Sequence, residues 1–171
     1  MEYFKILTQT KHNAEEFSEK YNAKFKRIIF GKSGYSFGIS YTPNDYSKLL
    51  AEDEIFHLFV KESIKQLLMN NWRFEKLLEF SNELQISVVD CTIKDTKLDE
   101  ILEDDVFGKE FLLDYLSENE NEITKMKFRT KEQYLVTIMN NGVIGVDEEL
   151  IESNDHIVSR LLDFVSYGKV S

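Results

Sequence analysis

The side chains able to do covalent or acid–base chemistry are few and scattered. Cys91 closes a run, Ile86 to Thr92 (ISVVDCT), that reads as a short buried strand, and strand ends are places where nucleophiles occur. His12, His57 and His156 are the imidazoles a thiol would need as a base, but no spacing links them to Cys91. A lone cysteine in apolar company is ordinarily a small buried hydrophobe. His57, between Phe56 and Leu58 on an apolar helical stretch, reads as a satisfied, partly buried histidine. One cysteine and three histidines give no structural zinc site.

The carboxylate runs Glu103-Asp104-Asp105 and Asp147-Glu148-Glu149 lack the alternating ligands and central glycine of a calcium loop. Gly31 with Gly34, and Gly142 with Gly145, lack the Lys-Ser/Thr and helix context of a phosphate-cradling loop. The expectation is therefore a protein that is not an enzyme, with no cofactor and no metal. An enzyme with an unrecognised site near Cys91 is kept as an alternative.

Charge is the more informative signal. The chain of 171 residues carries a net charge of −10, and its distribution is uneven. Residues 1–89 hold twelve basic and twelve acidic side chains, and residues 123–171 hold six and seven. Residues 90–122 hold twelve acids against Lys94, Lys97 and Lys109, a net of −9. Within that segment Asp95, Asp99, Glu100, Glu103, Asp104, Asp105, Glu110, Asp114 and Glu118 form the candidate partner-binding face. A charged helix face is usually only solubilising, but confinement to one stretch gives an acid density approaching that of a line of phosphates. Such a surface suits a basic groove and disfavours direct binding of nucleic acid, and its association should weaken with salt. Arg27, Arg73, Arg129 and Arg160 are the only arginines, fewer than phosphate-clamping chemistry usually recruits.

One stretch argues for nucleic acid instead. Lys32, Gly34, Tyr35, Ser36 and Phe37 partly echo the aromatic RNA-binding strand of RNA-recognition motifs. The echo is incomplete, since Gly38 stands where an apolar residue is wanted and Ser40 where an aromatic is wanted. Alternating aromatics on a strand are more often the core-facing side of a half-buried sheet. Lys24, Lys26, Arg27 and Lys32 would be the cations available to a polyanion.

The elements that must position these residues follow from apolar spacing. Glu2 to Gln9 reads as a first strand, Lys11 to Asn22 as a helix, Lys24 to Phe30 as a second strand, and Tyr35 to Tyr41 as a third that forms a hairpin with the second. Pro43 ends that strand, with Asn44 or Asp45 as a helix cap. Asp45 to Leu84, free of proline and glycine, reads as long central helices broken near Asn70 and Asn71. Ile86 to Thr92 is the fourth strand. The order matches the βαββαβ arrangement of ferredoxin-like domains, with a helical region long enough to serve two sheets or one extended sheet.

The acidic segment follows as helix, over Leu98 to Leu102 and then Val106 to Leu116, with Phe107, Phe111, Leu112 and Tyr115 inward. Thr124, Met126 and Phe128 then alternate with Lys125, Lys127 and Arg129 as strand, which continues through Gln133 to Met139, turns at Asn141-Gly142 as a two-residue type I′ hairpin, and returns through Val143 to Val146. Asn154 or Asp155 caps a last helix closed by Gly168.

The fold class is α+β in one compact domain, 1–171, with a soft internal boundary near 90–98 between a 1–92 βαββαβ part and a 93–171 part of acidic helix, hairpin and helix. The single cysteine, the absence of a basic start followed by an apolar run, and the lack of any run of ~18 apolar residues predict a cytoplasmic protein without a membrane partner. The function expected is protein binding, of an immunity-protein or phage-inhibitor kind, in which the acidic face engages a basic, nucleic-acid-acting partner such as a nuclease. The alternative is a nucleic-acid-binding module using the Tyr35/Phe37 strand, and a homodimer through an apolar patch at Trp72, Phe74 and the aromatic hairpin stays open.

Overall fold

The computed structural model describes residues 1–10, 16, 19, 25–94, 108–118, 121–153, 156–168 and 170. In chain order these form β1 (Glu2–Thr8), β2 (Ile28–Phe30), β3 (Ser36–Ser40), α1 (Pro43–Ala51), α2 (Asp53–Lys61), β4 (Lys65–Gln66), α3 (Asn71–Glu79), β5 (Ile86–Ile93), α4 (Lys109–Glu118), β6 (Ile123–Thr130), β7 (Leu135–Met139), β8 (Val143–Val146), α5 (Glu148–Glu152) and α6 (Ile157–Tyr167). The class is α+β. The strands make one sheet in the order β2-β3-β1-β8-β7-β6-β5, every neighbouring pair antiparallel. β4 pairs with β1 at Leu7 and Thr8, beyond the stretch Glu2–Lys5 that β8 occupies.

The ferredoxin-like order is not what forms. Strands β2, β3 and β1 do lie in the split-βαβ order, but the place beside β1 that the strand at Ile86 should take is held by β8. β5 lies instead at the far edge, where among the described residues it pairs only with β6. The side chains explain the exchange. Every residue of β8 is buried, as a central strand requires, whereas β5 exposes Ser87, Asp90 and Thr92 and carries a bulge at Val89, features of an edge.

The central stretch is less helical than its apolar spacing predicts. α1 and α2 are separated at Glu52, whose backbone is extended (φ −75°, ψ 119°). The chain then leaves the helix at Glu62, passes Ser63 at φ 54°, and runs through β4. Ile64, Leu67 and Met69 are buried there while Lys65, Gln66 and Leu68 face out. The break at Asn70 does form, because its side chain accepts from Arg73 N–H at 3.0 Å and caps α3. At α1 the cap is Thr42, accepting from Asp45 N–H at 3.2 Å, and Pro43 opens the helix; neither Asn44 nor Asp45 caps it.

The two faces of the sheet carry separate cores. Phe4, Ile6 and Ile29 join β5–β8 residues such as Phe128 and Ile144 under α3, α4, α5 and α6. On the opposite face Leu7, Phe37 and Ile39 pack with Tyr46, Ile55, Leu58 and Ile64 of α1, α2 and the stretch after them.

The hairpin at Asn141-Gly142 is present with a different turn. Gly142 N–H donates to Met139 C=O at 3.0 Å, and Gly142 alone of the loop has positive φ, at 77°. This is a three-residue loop, a type I turn closed by a left-handed glycine, and not the two-residue type I′ form. Gly168 closes α6 at φ 69° as expected. The expected N-terminal helix (apart from Glu16 and Glu19), the helix at Leu98–Leu102, Val106, Phe107 and the caps Asn154 and Asp155 lie outside the described residues. Among the described residues no helix is long and apolar enough to cross a membrane.

Candidate functional site

The acidic face is partly in view. α4 is held by Leu112 and Leu116, both buried, and by Phe111 and Tyr115, whose rings stack with centroids 6.2 Å apart. Its outer side then presents Glu110, Asp114 and Glu118, all exposed, at i, i+4 and i+8, so they form one row. Among the described residues none of the three is held in an ion pair. Lys109 instead donates to the Glu79 carbonyl at 3.2 Å, and Lys94 lies 3.6 Å from Glu122. Asp95, Asp99, Glu100, Glu103, Asp104 and Asp105 lie outside the described residues.

The other candidates take structural positions. Cys91, on β5, buries its side chain in the larger core, and burial, with Asp90 adding to it, pushes its thiol up to about 12, so it holds its proton at neutral pH. His57 is exposed, contrary to the partly buried setting expected, and its Nδ1 lies 2.6 Å from Asp53 C=O. His156 is exposed before α6, and His12 lies outside the described residues. Asp147 Oδ2 accepts from Leu135 N–H at 2.7 Å, which ties the start of α5 to β7. No cluster of three or more metal-ligating side chains occurs among the described residues. Phe37 is fully buried, so of the third-strand pair only Tyr35, 46% exposed, reaches the surface.

A different site emerges where α6 crosses β2 and β3. The loop between these strands turns through Gly31 to Gly34, with Gly34 N–H donating to Gly31 C=O at 3.2 Å, and it closes around the carboxylate of Asp163. Asp163 is 5% exposed although it sits between Leu162 and Phe164 on a helix apolar almost all round. Its Oδ2 accepts from Ser33 N–H at 2.8 Å, and its Oδ1 accepts from the Ser33 and Ser36 hydroxyls, both at 2.7 Å. A Cβ at position 31 would collide with Ser36 Oγ and Asp163 Oδ1, so glycine is what lets the loop approach this closely.

Beside this carboxylate opens a cleft of about 560 Å³ lined by Gln9, Thr10, Lys32, Ser33, Tyr35, Asp163 and Tyr167. The Tyr35 carbonyl fixes one wall. It accepts from Gln9 N–H at 3.0 Å and from the Tyr167 hydroxyl at 2.8 Å. Burial, then Asp163 and Tyr35, raise the Tyr167 hydroxyl above its usual range, which keeps it a donor. The cleft presents two tyrosine rings and a rim ammonium, with the Gln9 side chain and the Asp163 carboxylate buried in its lining. Nothing in the local spacing of Gln9, Ser33 and Asp163 ties them together, because they are far apart in the chain. The one readable signal is an aspartate inside the apolar run of α6. No known protein family, curated protein or solved structure matches this chain.

Proposed function

We propose that the protein is a binding protein whose acidic face engages a basic partner, in the manner of an immunity protein or inhibitor directed at a nuclease or another nucleic-acid-acting enzyme. The observation that carries this reading is the outward row Glu110, Asp114 and Glu118 on α4, a helix anchored by its opposite side. One turn of helix separates successive carboxylates, about 6 Å, and a stiff row of that kind meets a cationic groove without the ordering cost of a loop. The segment around it, with a net charge of −9 over residues 90–122, extends the same charge along the chain. Attraction of this type acts mainly on the rate of encounter and on partner choice.

Affinity capture with the wild-type chain and with Glu110→Lys/Asp114→Lys/Glu118→Lys tests this. The expected result is one basic protein retained at low salt, lost at moderate salt and lost in the variant, while the thermal midpoint shifts little because all three side chains are exposed. Capture that survives charge reversal removes the acidic face from the reading. Recovery of RNA or DNA in place of a protein replaces it.

A further inference from the structure

The side chain of Gln9 is the least satisfied group in the described structure. Gln9 is 1% exposed, yet neither its Oε1 nor its Nε2 has a hydrogen-bond partner. A buried amide left without both bonds is costly, so a native chain that keeps one completes it with a buried water or a ligand. Gln9 lines the cleft beside α6, and its backbone N–H is bonded to Tyr35 C=O.

We propose that this cleft binds a nucleobase, carried on a free nucleoside or nucleotide. A carboxamide presents one acceptor beside one donor, the complement of the adjacent donor and acceptor on a purine or cytosine edge, and glutamine pairs with adenine in this way in nucleic-acid complexes. Tyr35 and Tyr167, 46% and 41% exposed, stand at the mouth, and tyrosine rings are surfaces on which bases stack whatever their identity. The Asp163 carboxylate can accept from an exocyclic amino group or ring N–H, an interaction a bare phosphate or carboxylate ligand would turn into repulsion. An aliphatic ligand would leave both Gln9 and Asp163 without new partners. The volume, about 560 Å³, falls in the range of small-molecule sites. Lys32, exposed on the rim, is placed to meet a 5′-phosphate, so the base supplies recognition and the phosphate is optional. This site stands apart from the α4 row and does not depend on it.

The test is titration calorimetry of the full chain with adenosine, guanosine, cytidine, uridine and their 5′-monophosphates, together with amide NMR of the wild type. At least one base should bind saturably at one per chain, shift the Gln9 side-chain amide and the Tyr35 backbone amide, and bind at least tenfold more weakly to Gln9→Leu. Lys32→Ala should weaken the monophosphate and leave the nucleoside unchanged if nucleotides are the source, and affect neither if nucleosides are. No binding of any of the eight at millimolar concentration overturns the proposal. So does binding that shifts other amides, or that Gln9→Leu leaves intact. The NMR arm, done on the wild-type chain, decides the matter even where Gln9→Leu fails to fold.

Discussion

Replacing Asp163 by asparagine should destabilise the fold by about 1–2 kcal/mol, for reasons that can be followed bond by bond. The carboxylate accepts three hydrogen bonds, from Ser33 N–H at 2.8 Å and from the Ser33 and Ser36 hydroxyls at 2.7 Å each. Bonds to a charged acceptor are worth roughly 1.5–3 kcal/mol apiece, but these three share one group and do not add. Ser33 is exposed and can turn its hydroxyl to water, while Ser36 is fully buried and cannot. Asparagine keeps one oxygen, and its amide places donors where Ser33 N–H or a serine O–H already donates. Against this loss, the substitution removes the desolvation cost of a buried charge that no cation among the described residues pairs, which sets the estimate at its low end. Urea unfolding followed by far-ultraviolet circular dichroism should show the midpoint falling with an unchanged slope. A double-mutant cycle with Ser36→Ala should return a coupling of at least ~0.5 kcal/mol. An Asp163→Asn variant as stable as the wild type, with no coupling to Ser36, would refute the view that this carboxylate holds the β2–β3 loop against α6.

The third strand and the thiol give two further tests. Phe37→Ala should cost about 3–5 kcal/mol in urea unfolding, because it empties a fully buried position, while Tyr35→Ala should cost less than ~0.5 kcal/mol; equal costs would mean that the assignment of core and surface on β3 is wrong. Cys91 gives a pH dependence with a definite sign. Its thiol is raised from 9.0 to about 12 in the fold, so below pH 9 both folded and unfolded chains keep the proton and stability is unaffected. Between pH 9 and about 12 the unfolded chain ionises first, and stability falls by at most ~1.4 kcal/mol per pH unit. Cys91→Ala should lose stability less steeply over that window, and parallel curves for the two proteins would show that the thiol is not buried as described.

The parts of the fold that were legible in the sequence are those where one local rule dominates. Val143 to Val146 is apolar apart from Gly145, follows an Asn-Gly turn, and forms the strand expected, because a short apolar run behind a turn has few other ways to be buried. Gly168 ends α6 for the same kind of reason, since a left-handed residue there favours glycine. Ile64, Leu67 and Leu68 failed the rule. Their spacing is helical, but Leu68 faces solvent, and Leu67 and Met69 alternate along a stretch whose backbone bonds run to Ile6 and Asn140. Distant strands had already set the hydrogen bonding there, and periodicity within forty residues carries no information about them. The place of β5 at the far edge was hidden likewise, because which strand wins the edge of β1 is a competition between segments.

The candidate sites divide along the same line. Charge is a property of composition, so the acidic face could be read directly, and α4 does turn Glu110, Asp114 and Glu118 outward once Leu112 and Leu116 fix its inner side. The cleft at Gln9 is a property of three-dimensional juxtaposition. Its members come from β1's end, from the β2–β3 loop and from α6, and each has a bland reading alone: a polar residue closing a strand, a serine in a turn, an aspartate on a helix. Asp163 is the exception worth weighing. A carboxylate between Leu162 and Phe164 must either break the apolar surface of the helix or be met by donors, and the energetic cost of leaving a buried charge unmet selects the second. The donors that meet it are the serines of a glycine-turned loop, and the loop that brings them also brings Tyr35 and Lys32 to the same place. A buried polar residue in an apolar helix is thus the one-dimensional trace of a tertiary contact, here the one that holds the β2–β3 loop against α6.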